Sequence, residues 1–225
     1  MKIEIWQFFE YLSFILSLVY YKRLKEYSLQ LMVPFLFYIC CSESLAAYRV
    51  DLGMPTSRGF VNIYYVVSAG VFYILFERMI KPQKGFAILY KSIAIVSMLS
   101  FLYDLFTTDI YILHSYTLIF SFIQHIFLSL ILLFKLSFNE ESKISVVHEP
   151  YFWIGVGVLL FSIVVVVIVG LQSFIYDNKI NIGGKSAYRI ILPFACTVLY
   201  SCYCYAFYLT SKTKNNLQLA AATTL

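Results

Sequence analysis

Apolar residues run in seven blocks along the chain, at about residues 5–21, 28–48, 60–76, 86–106, 110–134, 151–175 and 187–210. Each is close to the roughly 20 residues that a helix needs to cross the hydrocarbon of a bilayer. Charged and turn-forming residues separate them. Lys22, Arg23 and Lys25 follow the first block, and Gly53, Pro55 and Gly59 follow the second. Glu77, Arg78, Lys81 and Lys84 close the third, a polar stretch at 135–150 separates the fifth from the sixth, and Gly183 and Gly184 precede the last. The pattern predicts an all-α fold: a polytopic bundle of seven transmembrane helices forming one domain over residues 1–225. Pro34 predicts a kink in the second span. The residues after Thr210 read as a short polar tail.

The first block could be mistaken for a cleaved leader. No small-x-small cleavage site follows it, its basic cluster comes after the apolar run, and Glu4 and Glu10 interrupt its start. It therefore reads as a helix with its N-terminus outside.

Polar residues inside the blocks carry more information than the apolar ones. Glu43 lies in the run Phe37-Tyr-Ile-Cys-Cys-Ser-Glu-Ser-Leu-Ala-Ala-Tyr-Arg49, where lipid is expected. A charge at the centre of a spanning helix costs about 2.5–3.5 kcal/mol on insertion scales, and less near an end. Glu43 is therefore expected to face other helices or enclosed water.

Composition supports the membrane reading. Hydrophobic residues make up 61% and charged residues 13% of the 225, against about 25% charged in a soluble domain. The net charge of +5 is modest, and no nucleic-acid partner is implied. The loop cations divide unevenly. Lys22, Arg23, Lys25, Arg78, Lys81, Lys84, Lys135, Lys143, Lys212 and Lys214 fall on one side; Lys2, Arg49, Arg58, Lys179 and Lys185 fall on the other. The positive-inside rule makes the first side cytoplasmic, with the C-terminus inside. All five cysteines lie in apolar runs and read as packing residues.

With this topology Glu10, Glu43, Asn62, Tyr64, Tyr65, Asp104, His114 and Arg189 all fall in the outer halves of their spans. They predict an outward-facing polar pocket able to take a cation, an amine or a polar small molecule. The competing reading is a structural Glu43–Arg189 pair, with Glu10 and Asp104 at headgroup level. His125, deeper in the fifth span, is a candidate proton switch or the maker of one interhelical hydrogen bond. Gly155 and Gly157 fall on different helix faces and favour close helix approach. Tyr200, Tyr203, Tyr205 and Tyr208 read as packing and interface residues.

Several chemistries are disfavoured. A retinal Schiff base needs a mid-membrane lysine, which the last span lacks. His114 and His125 lie about 16 Å apart along a helix, too far to share a metal. No Gly-x-Ser-x-Gly, His-Glu-x-x-His or phosphate-loop motif is present. No cofactor or metal is expected.

The run Tyr20-Tyr21-Lys22-Arg23-Leu24-Lys25, with Pro34-Phe35-Leu36-Phe37 and Glu43, resembles the start of a family of small, uncharacterised bacterial seven-span proteins. Glu149-Pro150-Tyr151-Phe152-Trp153-Ile154-Gly155-Val156-Gly157 is similar to that family's sixth span, and Leu199-Tyr200-Ser201-Cys202 to its last. Members are similar in layout to the seven-span sensor modules of histidine kinases. The resemblance implies a bacterial inner-membrane sensor or accessory protein, with membrane lipid around it and a separate signalling partner at the cytoplasmic loops 78–84 and 135–150. The alternatives are an intramembrane enzyme or carrier working through Glu10, Glu43 and Asp104, and a purely structural subunit.

Overall fold

A computed structural model describes residues 4–53, 58–81, 84–108, 115–138, 145–171, 181–182, 185–186 and 188–223. Eight α-helices account for most of them: α1 Ile5–Val19, α2 Tyr21–Glu26, α3 Met32–Asp51, α4 Arg58–Ile80, α5 Lys84–Thr107, α6 Ser115–Ser137, α7 Pro150–Gly170 and α8 Tyr188–Thr223. A short 3-10 turn, Val146–His148, precedes α7. The remaining regular structure is a two-residue antiparallel pair, β1 Asn181–Ile182 with β2 Lys185–Ser186, in register Asn181 to Ser186 and Ile182 to Lys185.

Among the described residues five helices are long and apolar enough to cross a membrane, over Val61–Ile80, Ala87–Thr107, Tyr116–Ser137, Pro150–Gly170 and Arg189–Lys212. Such a set is the make-up of a multi-pass membrane protein. Of the other two expected spans, α1 is apolar but only 15 residues long. The second, α3, has 20 residues but carries Glu43, Arg49 and Asp51.

Helix boundaries differ from the expected ones for local reasons. The first span ends at Val19, where Tyr20 breaks it and its N–H turns back to the Leu16 carbonyl. The second begins at Met32 rather than near Ser28, whose positive φ of 56° takes it out of helical geometry. Pro34 therefore lies in the first turn of α3, where a missing N–H costs little, and the expected kink is not needed. The last helix continues beyond Lys212 through the supposed tail to Thr223. Leu, Gln and Ala in that stretch are good helix formers.

Six of the long helices close into a ring in the order α1, α8, α7, α6, α4, α3, with α5 outside against α6 and α4. The tightest joint is α7 against α8. A Cβ built on Gly157 would lie 2.8 Å from Cys202 Cβ, and one on Gly155 would meet Leu132 and Leu133 of α6 at 3.2–3.3 Å. The two glycines thus serve opposite faces of α7, as their spacing predicts. Bilayer helices gain no hydrophobic drive from touching each other, so such close approach is how they hold together.

Polar crossings pin the rest. Gln124 Nε2 donates to the Ala69 carbonyl at 3.0 Å, joining α6 to α4. Tyr90 donates to the Tyr73 carbonyl, joining α5 to α4. At one end of the ring Lys135 Nζ donates to the Ile80 carbonyl at the C-terminus of α4, where a cation also meets the negative end of the helix dipole. At that same end the Tyr151 hydroxyl donates to the Tyr27 carbonyl at 2.7 Å. The core inside the ring is apolar and aromatic: Phe35, Phe72, Phe76, Leu199, Tyr203 and Phe207 belong to one buried cluster.

Candidate functional site

Helix α1 brings Glu10 into the interior. The helix starts with a capping box, in which Gln7 Oε1 accepts the Glu4 N–H at 3.0 Å. Glu10, Ser13 and Ser17 then recur at helical spacing and are all buried. Ser13 and Ser17 satisfy themselves by donating back to the Glu10 and Phe14 carbonyls, at 2.7 and 2.6 Å. Glu10 has no such recourse. It is 1% exposed, and neither carboxylate oxygen has a hydrogen-bond partner.

Helix α3 supplies the second acid. Glu43 is exposed, and its charge lies within electrostatic reach of Glu10. The two helices are joined beside it by the Tyr11 and Ser44 hydroxyls, 2.9 Å apart. Cys40, one turn before Glu43, places its thiol next to the Glu10 carboxyl. On the facing elements, Tyr64 of α4 and both Cys196 and Tyr200 of α8 lie within electrostatic reach of both carboxylates. The cluster is therefore two acids, two thiols and two phenols, contributed by α1, α3, α4 and α8.

The structure gathers part of the expected pocket and disperses the rest. Glu10, Glu43 and Tyr64 come together. Tyr65 instead turns its ring edge to Tyr64 and to Phe122, with centroids 5.6 and 5.8 Å away. Asn62 is buried near the start of α4. Arg189 is exposed in the first turn of α8 and makes no ion pair among the described residues, so the Glu43–Arg189 pair is not formed. His114 lies outside the described residues.

Asp104 leaves the pocket for a structural reason. It lies on the outlying helix α5, and its Oδ2 accepts both the Thr117 N–H, at 2.7 Å, and the Thr117 hydroxyl, at 2.8 Å. Thr117 is in the first turn of α6, whose N–H groups have no partner within their own helix. Asp104 therefore caps a neighbouring helix and has no part in the acid pair.

Below the acids, at mid-bundle, helices of the ring line a void of about 10 Å3. Tyr64 and Tyr200 line it from the acid side, and His125, Ser162 and Tyr203 line it further in. His125 is 2% exposed, with its ring against Phe72 at 4.7 Å and Phe122 at 5.5 Å. The Ser68 carbonyl neighbours it. Its neighbour Gln124, not His125 alone, ties α6 to α4.

Sequence reasoning missed Cys196, Tyr200 and Tyr203. Their signal was available: positions 196, 200 and 203 follow the i, i+4, i+7 spacing of one helix face. Tyr205 and Tyr208, taken in the same group, are exposed and belong to the opposite face.

Fold and site together define a multi-pass helical membrane protein with a buried, unpaired acidic centre. No family model, curated protein or solved structure matches the chain.

Proposed function

We propose that this protein is a seven-span sensor or accessory protein of the bacterial inner membrane, with its N-terminus outside and C-terminus in the cytoplasm. Its outward-facing pocket, centred on Glu10 and Glu43, takes a small positively charged ligand. Occupation shifts α1 and α3 against α8, and a separate signalling protein reads the shift at the inner loops 78–84 and 135–150. The uneven loop cations support the orientation, and the apolar outer face of α5, where Ile88, Met98 and Phe106 are exposed, supports lipid contact there.

One observation carries the reading. Glu10 is a fully buried carboxyl group with two unpartnered oxygens, next to a second carboxyl group and to no basic side chain among the described residues. A buried charge without partners is costly, and intramembrane acids usually mark a site. Neutral thiols and phenols around the pair leave the positive charge to be supplied by the ligand. The carrier or enzyme reading loses one of its three acids, because Asp104 is engaged at α6.

The test is a stability screen of the protein in lipid nanodiscs against sodium, potassium, ammonium and small alkylamines. A bound cation at 100 times its Kd should add about 2.7 kcal/mol. The gain should vanish in Glu10→Gln and shrink in Glu43→Gln. If no cation stabilises the wild-type protein, the receptor reading fails and a structural role replaces it.

A further inference from the structure

The void at the centre of the ring has three polar atoms on its wall that no protein group satisfies: His125 Nε2, Ser162 Oγ and the Tyr203 hydroxyl. They come from three different helices, α6, α7 and α8. Most other hydroxyls buried in this bundle donate to a carbonyl on the previous turn, as Ser13, Ser68 and Thr210 do. Ser162 does not. The three residues thus line one void, and each has a polar atom that makes no hydrogen bond within the protein.

We infer that this void is a binding site for a single water molecule, held by His125, Ser162 and Tyr203. Size and chemistry agree on this guest. A volume of about 10 Å3 corresponds to roughly one water-sized sphere. A buried water needs two to four polar partners, and three are present. The Ser68 carbonyl neighbours the His125 ring, and a proton on Nδ1 leaves Nε2 as an acceptor. The water then donates one hydrogen to Nε2 and accepts from the Ser162 and Tyr203 hydroxyls. The aromatic and aliphatic remainder of the wall, including Phe72, Phe122 and Val158, orients no other polar guest.

The site also has a connection outward. Tyr64 and Tyr200 line the same void, and both lie within electrostatic reach of Glu10 and Glu43. The water is thus the inner end of a polar path that starts at the acid pair and crosses from α1 and α3 to α6 and α7. Its occupancy does not depend on the cation reading of the outer site.

Infrared spectra of the protein in nanodiscs, recorded in ordinary water and in water labelled with oxygen-18, test this directly. The wild type should show an isotope-shifted O–H stretch from a water outside the bulk band. Tyr203→Phe and Ser162→Ala each remove one partner with almost no change of shape, and each should shift or abolish that band while Glu10→Gln keeps it. A wild-type difference spectrum with no isotope-shifted band outside the bulk O–H band would overturn the proposal. So would a shifted band that survives unchanged in both Tyr203→Phe and Ser162→Ala.

Discussion

Asp104 and Glu10 are both at most 2% exposed, yet one carboxylate accepts two hydrogen bonds and the other accepts none. The difference decides what each substitution does. Hydrogen bonds to a charged group are worth about 1.5–3 kcal/mol each way, and an unsatisfied buried group costs at least as much as it would gain. Asp104→Ala should therefore lower stability by about 1.5–3 kcal/mol, and Thr117→Val by less, since the backbone bond survives. Glu10→Gln should instead leave the ligand-free protein as stable as the wild type or more stable, because it removes an ionisable group whose charged form nothing compensates. Thermal denaturation in one lipid composition checks the contrast, and a destabilised Glu10→Gln would mean that the carboxylate has a partner after all. The sequence could not separate the two acids. Both are carboxylates in the outer half of an apolar run, and only the placement of α5 outside the ring sends Asp104 to Thr117.

Helices, unlike side chains, were largely legible in the chain, and their ends fail where a backbone detail decides. Block lengths and charged punctuation locate the five longest membrane-length helices. They do not reveal the positive φ at Ser28 that delays α3, or the helix-forming composition that carries α8 past Lys212. The spacing of Gly155 and Gly157 was legible because it is periodic. It yields a graded prediction. Gly157→Ala drives a Cβ to 2.8 Å from Cys202 Cβ on a rigid neighbouring helix and should cost about 1–3 kcal/mol. Gly155→Ala meets only the flexible ends of Leu132 and Leu133 and should cost less. Cys202→Gly should recover part of the Gly157→Ala loss, which a double-mutant cycle would read as a coupling between α7 and α8.

The start of α7 adds a pH-dependent element. Glu149 is its N-cap residue but makes no side-chain cap bond, and burial raises its carboxyl above the ordinary value of 4.5. A folded-state value above the unfolded one means that the stability it contributes is fully present below the unfolded value. That contribution is lost as pH rises through the folded one. Glu149→Gln should match the wild type in acid and become relatively more stable toward neutral pH. Parallel melting curves across that range, with a constant gap, would contradict the assignment.

For the molecule as a whole, the ring has two chemically different ends, and this makes its direction in the membrane testable. At one end the ties are a lysine on a helix terminus and a tyrosine and a tryptophan on backbone carbonyls, as Lys135 to Ile80, Tyr151 to Tyr27 and Trp153 to Val147 show. Toward the other end lie the acids and hydroxyls of Glu10, Glu43, Asp104 and Thr117. In the proposed orientation the cationic, aromatic rim faces the cytoplasm and the acidic half faces outward. With a cysteine substituted at Ser145 or at Leu52, a membrane-impermeant thiol reagent added to intact cells should label Leu52→Cys and spare Ser145→Cys until the membrane is opened. Labelling of Ser145→Cys from outside would turn the acid pair toward the cytoplasm. The carboxylates would then face a compartment rich in small cations, and the receptor would have to read internal state instead of the surroundings. One labelling experiment therefore fixes more than topology: it decides toward which side of the membrane the unpartnered carboxyl of Glu10 lies.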